Sequence, residues 1–257
     1  MKLKFPEHYI GLAVLVIAVI YVAVTCFFGG SKASVPVSAL EEGRRYIAQM
    51  EQRDVAEVKS QISSYRKAER RKLLEEGKLS VWDMFEDYVL LGDSRAVGFY
   101  YHGFLEEERT LAFGGATIRD VPDYLDTIKS LNPSYIFLCY GLNDVSIGYW
   151  DTPEEYTAEF VQVMDSLAKA APKAQIYISS ILIARDPAFE TSEKWRRIPE
   201  FNDALKAMAE EHHYNYVDNT DLCEQYADLW DEDGIHVKKE FYPYWGANLI
   251  AEVDDES

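Results

Sequence analysis

The stretch Tyr88-Val89-Leu90-Leu91-Gly92-Asp93-Ser94-Arg95 decides the reading of this chain. Its first four residues are an apolar run too short for a helix, and Gly-Asp-Ser ends it with turn chemistry, so it reads as a strand buried on both faces. Such a strand needs neighbours of its own kind. Strand-like runs follow at residues 110–113, 135–140 (YIFLCY), 175–183 and 214–217. Helical patterns lie between and after them. Residues 120–131 carry Pro122 in the first turn and end at Asn132-Pro133. Thr152 caps a helix opened by Pro153, with Tyr156, Phe160, Val163 and Leu167 along one face. Residues 199–212 and 240–253 complete the set. Alternating strands and helices of these lengths predict an α/β domain with a parallel sheet covered on both faces.

The composition agrees with one large core. Of 257 residues, 48% are hydrophobic and 14% aromatic, which excludes a disordered or collagen-like chain, and 27% charge excludes a polytopic membrane protein. A net charge of −18 argues against nucleic acid as the main partner. The charge is unevenly placed: residues 1–80 hold 13 basic and 9 acidic side chains, whereas residues 81–257 hold 13 and 35.

The basic segment contains an uncharged run at residues 9–28, YIGLAVLVIAVIYVAVTCFF. As a helix it spans about 30 Å, the thickness of a bilayer core. Lys2 and Lys4 precede it, which orients the chain beyond Phe28 outside the cell. A transmembrane anchor at residues 1–30 is the expectation. A signal peptide cleaved near Ser31-Lys32-Ala33 is the alternative, which makes the protein secreted. Residues 29–38 read as a linker broken by Pro36, and residues 39–78 as a charge-laced helix: either a stalk or a helix packed on the domain surface. The expected organisation is therefore anchor (1–30), linker and helical stalk (31–80) and catalytic domain (81–257). Cys139 and Cys223 carry no metal or redox spacing and read as buried thiols, with a disulfide between them as the alternative. No cofactor or metal is expected.

Four clusters follow strands or precede the last helix: Gly92-Asp93-Ser94-Arg95, Gly114-Gly115-Ala116-Thr117, Gly141-Leu142-Asn143-Asp144 and Asp233-Gly234-Ile235-His236. In an open α/β sheet the carboxyl ends of the strands line one crevice, where these clusters can converge. A serine hydroxyl needs a base to become a nucleophile, and a histidine oriented by a carboxylate is suited to that task. Ser94, His236 and Asp233 supply the three parts. The Ser94 and Gly115 backbone N–H groups and the Asn143 amide supply donors for an oxyanion.

In this order, the four clusters resemble the sequence blocks of the SGNH/GDSL hydrolase superfamily, over residues 88–253. The resemblance implies a flavodoxin-like, three-layer α/β/α fold, with Ser94 as nucleophile, Asp233 and His236 completing the triad, and Gly115 and Asn143 as oxyanion donors. Choosing Gly115 over Gly114 rests on aligning Gly-Ala-Thr with the family's Gly-x-Thr. One departure stands out: Arg95 occupies the position of the family's usual leucine.

Asp93 and Asp144 read as braces of their loops. Arg95 and Arg119 are either anion ligands or ordinary ion-pair partners. Tyr140, Tyr149 and Trp150 flank the Asn143 loop and read as a sugar-stacking wall, with core packing as the alternative for Tyr140, which still belongs to its strand. Residues 190–197, with Trp195, either gate the crevice or form an ordinary loop. His102, His212 and His213 fall outside the four clusters. The expected function is an extracytoplasmic serine esterase acting on small acyl esters, O-acetyl groups on carbohydrate among them. An O-acyltransferase served by a membrane acyl-donor partner, and a wall-associated scaffold with a relic site, are the alternatives.

Overall fold

Five strands build one sheet in the order β2-β1-β3-β4-β5, every neighbouring pair parallel: β1 (Tyr88–Gly92), β2 (Thr110–Ala112), β3 (Tyr135–Cys139), β4 (Gln175–Ser179) and β5 (Asn215–Val217). The computed structural model describes residues 55–253, Val19 and residues 41–45. The predicted anchor and linker, Val19 apart, lie outside the described residues, and among those described no helix is long and apolar enough to cross a membrane. The chain divides into two compact units, Met1–Ser60 and Gln61–Ser257. In the first, residues 41–45 are helical.

In the second unit the sheet has helices on both faces, the predicted α/β architecture. Strand side chains alternate between two cores, as a two-residue period requires. Val89, Leu91, Ile136, Leu138 and Ile178 face one core. Their neighbours Tyr88, Leu90, Phe137, Cys139 and Tyr177 face the other. Helices α3 (Leu125–Leu131), α5 (Pro153–Ala170) and α7 (Ile198–His212) contribute Ile128, Phe160, Leu167, Phe201 and Leu205 to the first. Helices α2 (Ser94–Tyr101) and α9 (Tyr242–Ala251) contribute Phe99, Trp245 and Leu249 to the second. Each fully buried side chain of this kind stabilises the fold by about 1.5–3 kcal/mol.

Helix α5 is built as its sequence predicts. The Thr152 hydroxyl accepts from Glu155 N at 3.3 Å, Pro153 occupies the first turn, and the four residues of the predicted face are all buried. Two predicted elements are corrected. Residues 118–131 are a 3-10 segment, Ile118–Tyr124, followed by α3, rather than one helix from Asp120. The strand predicted to reach residue 183 stops at Ser179: Ser180 N still donates to Val217 O of β5 at 2.9 Å, but the peptides beyond it bond to side chains instead of a neighbouring strand. Ile181 exchanges hydrogen bonds with the Asn202 amide at 2.8 and 2.9 Å, and Leu182 O accepts from Arg95 Nη1 at 2.6 Å. Cys139 and Cys223 are free and buried, and burial pushes the Cys223 thiol up to about 11.

Of the predicted charge-laced helix, α1 (Val55–Glu75) is described. Its last turns pack on the domain: Arg70 Nη1 donates to Ile250 O and Val253 O, and Arg71 donates to Asn248 Oδ1 and Glu252 Oε1, both at 2.9 Å. The strand order reverses direction at β1, which has β2 on one side and β3 on the other. In doubly wound sheets this switch point opens a crevice at the carboxyl ends of the strands. Ser94 follows β1 and Asn143 follows β3, so the two flank it.

Candidate active site

Gly92 ends β1, and Asp93 caps α2 by accepting from Arg95 N at 3.0 Å. Ser94 is therefore the first residue of α2, where backbone N–H groups have no intrahelical acceptor. Among the described residues neither the Ser94 N–H nor the Gly115 N–H has a hydrogen-bond partner. Gly115 sits at φ +87° in the turn closed by Ala116 N donating to Phe113 O, and a Cβ there meets open space. Backbone conformation, not room, calls for glycine at this position.

Asn143 lies in the first turn of α4 (Leu142–Ile147). Its Nδ2 donates one proton to Ala116 O at 2.9 Å, which ties it to the Gly115 turn and leaves the second amide proton available. Asp233, Gly234 and His236 form a tight loop before α9. Asp233 Oδ1 accepts from Ile235 N at 2.8 Å and His236 N at 2.9 Å, and Asp233 Oδ2 pairs with His236 Nδ1 at 2.6 Å. His236 Nε2 lies 3.0 Å from Ser94 Oγ. Gly234 is at φ +70°, and a Cβ there would lie 2.2 Å from Arg185 O, so conformation and space both demand glycine.

The electrostatics suit a base. Burial pushes the Asp233 carboxyl up, but the His236 hydrogen bond and the two N–H donors outweigh it and hold the carboxyl below its ordinary range. The ionised carboxylate stabilises the imidazolium that forms when His236 takes a proton. The side chains of Asp233 and His236 are 44% and 45% exposed, so the site is open to reactants from solvent.

All five predicted site residues follow strand ends or precede α9, and hydrogen bonds link Ser94 to His236, His236 to Asp233, and Asn143 to the Gly115 turn. The two acidic residues reach further than their own loops. Asp93 Oδ2 accepts from Leu142 N at 3.3 Å, and Asp144 Oδ1 accepts from Ile118 N at 2.8 Å. Burial pushes the Asp144 carboxyl up to about 7, helped by the Asp93 charge and opposed by the Ile118 N–H. Asp144 Oδ2 and the hydroxyls of Tyr140 and Tyr156 are buried without a protein partner.

Of the two readings of the arginines, the ion-pair reading describes what each contacts. Arg95 is buried, its guanidinium 3.5 Å from Asp93 Oδ2, and Arg119 lies 3.6 Å from Glu159 and over the Tyr149 ring. Trp150 does not form a wall: it is buried, edge-on to Tyr156, and donates to Glu159 Oε2 at 3.1 Å. Tyr149 remains 53% exposed. Residues 190–197 are anchored, since Trp195 Nε1 donates to Leu142 O at 2.8 Å within the core. His102 packs against Tyr242, His212 stacks on Tyr214, and His213 ends α7 in the left-handed conformation. Sequence reasoning misses the cross-loop bonds of Asp93, Asp144 and Trp195. Its only signal for them is an acidic residue directly beside Ser94 and another beside Asn143. Among the described residues no group of three or more His, Cys, Asp or Glu is arranged to hold a metal ion.

Known proteins share both the sequence blocks and the fold. The family model for the GDSL-like lipase/acylhydrolase family matches residues 90–242. No curated protein matches the chain. Among solved structures, a lipase/acylhydrolase from Enterococcus faecalis superposes with a TM-score of 0.51 at 16% identity, covering 64% of this chain and 94% of its own. A GDSL-like lipase from Bacteroides thetaiotaomicron gives 0.49 at 19% identity, over 63% of this chain and 84% of its own. A carbohydrate esterase family 3 protein from Talaromyces cellulolyticus gives 0.47 at 15%, over 65% and 99%. The likeness to the first is one of fold. The family model spans more than half of the residues and all four clusters, and on that ground the chain belongs to the GDSL-like lipase/acylhydrolase family and is an ester-hydrolysing enzyme.

Proposed function

We propose that the enzyme is a serine esterase that cleaves small acyl esters through an acyl-Ser94 intermediate. The observation that carries this reading is the relay Ser94 Oγ, His236 Nε2, His236 Nδ1, Asp233 Oδ2, with separations of 3.0 and 2.6 Å at its two hydrogen bonds. Ser94 Oγ attacks the ester carbonyl carbon while His236 Nε2 takes its proton, and Asp233 stabilises the resulting imidazolium. The oxyanion is met by the N–H groups of Ser94 and Gly115 and the free Asn143 amide proton, each such donor being worth about 3–4 kcal/mol of barrier. Collapse breaks the C–O bond, and His236 returns its proton to the departing alkoxide. Water, deprotonated by the same imidazole, then releases the acid and restores Ser94.

The proposed substrate class is a small acyl group, such as O-acetyl, on carbohydrate. Its support is the site's openness, with the side chains of Asp233 and His236 nearly half exposed. Placement outside the cell, on an anchor or after cleavage, is supported by the uncharged run at residues 9–28 behind Lys2 and Lys4. The proposed organisation is anchor, helical linker and hydrolase domain.

Ser94→Ala, assayed on p-nitrophenyl acetate and with a fluorophosphonate probe, tests the mechanism. Wild-type turnover and labelling that the variant lacks are expected. A wild type as inactive as the variant on short acyl esters rejects it.

A further inference from the structure

We infer that Trp195 is a positioning residue for Asn143, acting through the Leu142 peptide. This rests on the esterase reading above, in which Asn143 meets the oxyanion. Both polar groups of the Leu142 backbone are held by side chains from other parts of the chain. Its N–H donates to Asp93 Oδ2 at 3.3 Å, and its carbonyl accepts from Trp195 Nε1 at 2.8 Å. Asn143 is the next residue, and its own side chain is tied to Ala116 O at 2.9 Å. Leu142 is thereby fixed from both sides: the peptide that enters it is held by the nucleophile loop, and the peptide that joins it to Asn143 is held by Trp195.

A buried indole N–H commonly finds an acceptor, although that of Trp245 has none among the described residues. What distinguishes Trp195 is which acceptor it has and where its own segment is anchored. The chain that carries it begins against the histidine loop: Arg185 N donates to Gly234 O at 2.8 Å, and Trp230 Nε1 donates to Ile183 O at 3.1 Å. It ends with Trp195, 7% exposed, against α4. Residues 183–195 therefore span from the base to the oxyanion donor, and Trp195 sets the register of the second against the first. Donors for an oxyanion act only within a few tenths of an ångström of their proper place, so a small shift of Leu142 is felt in turnover and not in substrate affinity.

The test compares Trp195→Phe and Trp195→3-benzothienylalanine, the latter keeping the ring shape and replacing the N–H by sulfur, each alone and with Asn143→Ala, on p-nitrophenyl acetate. The expected result is a loss in kcat of about 10- to 100-fold for each single Trp195 variant with KM unchanged within about twofold. With Asn143→Ala already present, no further loss is expected, because the two changes remove one interaction. An equal loss in both backgrounds, or none in the single variants while Asn143→Ala lowers kcat, overturns the inference and leaves the esterase reading intact. No loss from Asn143→Ala itself overturns the oxyanion role of Asn143 and this inference together, while Ser94→Ala still decides the esterase reading. If Trp195→Phe fails to fold, the isosteric variant carries the comparison.

Discussion

Asp93, the residue before Ser94, accepts a hydrogen bond at 3.3 Å from Leu142, the residue before Asn143. One carboxylate thus holds the start of the nucleophile helix and the start of the oxyanion helix in a single frame across the β1–β3 switch point. The same carboxylate, fully buried, faces the buried guanidinium of Arg95 at 3.5 Å. Arg95, the one departure from the family pattern, faces this carboxylate and donates to Leu182 O at 2.6 Å.

The first prediction concerns that pair. Arg95→Leu removes the guanidinium that faces the buried Asp93 carboxylate and leaves it only its backbone donors, so the fold loses about 3–5 kcal/mol. Adding Asp93→Asn removes the remaining charge and restores about half of the loss. Urea denaturation of the two single variants and the double variant measures this. Additive losses would contradict it.

Gly115 separates backbone conformation from packing. Ala at φ +87° costs about 1–2 kcal/mol of strain, although its Cβ has open space. The turn relaxes by moving its N–H away from the oxyanion. Gly115→Ala is expected to lower kcat by about 10- to 100-fold, with unfolding free energy changed by no more than about 2 kcal/mol. Steady-state kinetics beside a denaturant curve checks both.

Asp144 makes stability depend on pH with a defined sign. Its carboxyl is pushed up to about 7 in the folded chain, against an ordinary value of 3.8. Between these values the folded state holds the proton more tightly than the unfolded state, so stability declines as pH rises through this window and is level above it. Asp144→Asn keeps an acceptor for Ile118 N and abolishes the decline. Denaturant midpoints from pH 4 to 8 decide the matter: parallel curves for wild type and variant would be incompatible with a buried, protonated Asp144.

Gly234 tests the histidine loop. A methyl group placed 2.2 Å from Arg185 O, on a backbone at φ +70°, forces the loop away from Ser94. Gly234→Ala is expected to reduce both turnover on p-nitrophenyl acetate and the rate of fluorophosphonate labelling. Retention of full labelling would show that the loop absorbs the change without displacing His236.

Much of this arrangement is legible in the chain because it is local. A buried strand followed by Gly-Asp-Ser, an Asn-Asp pair after another strand, and Asp-Gly-x-His before a terminal helix each announce themselves within a few residues. Thr152 and Pro153 announce their helix for the same reason. Legibility fails where local pattern and long-range bonding diverge. Ile181 and Leu182 are as buried as strand residues, but their peptides bond to Asn202 and Arg95, and hydrophobicity carries no trace of that choice. Trp150 and Tyr149 are adjacent aromatics with opposite fates, because Trp150 meets Tyr156 and Glu159 on α5. Trp195 and Leu142 are 53 positions apart, and only the folded sheet makes them neighbours.

That separation has a consequence for how activity arises. Ser94 and His236 are 142 positions apart, so their contact closes a long stretch of chain. Contacts between such distant segments form late, since their closure entropy has to be met before they stabilise anything. A chain still emerging from synthesis, or one trapped half-folded, holds a serine without its base. Ester cleavage by this enzyme is therefore a signal of completed folding, and recovery of turnover on refolding should trail recovery of helical signal.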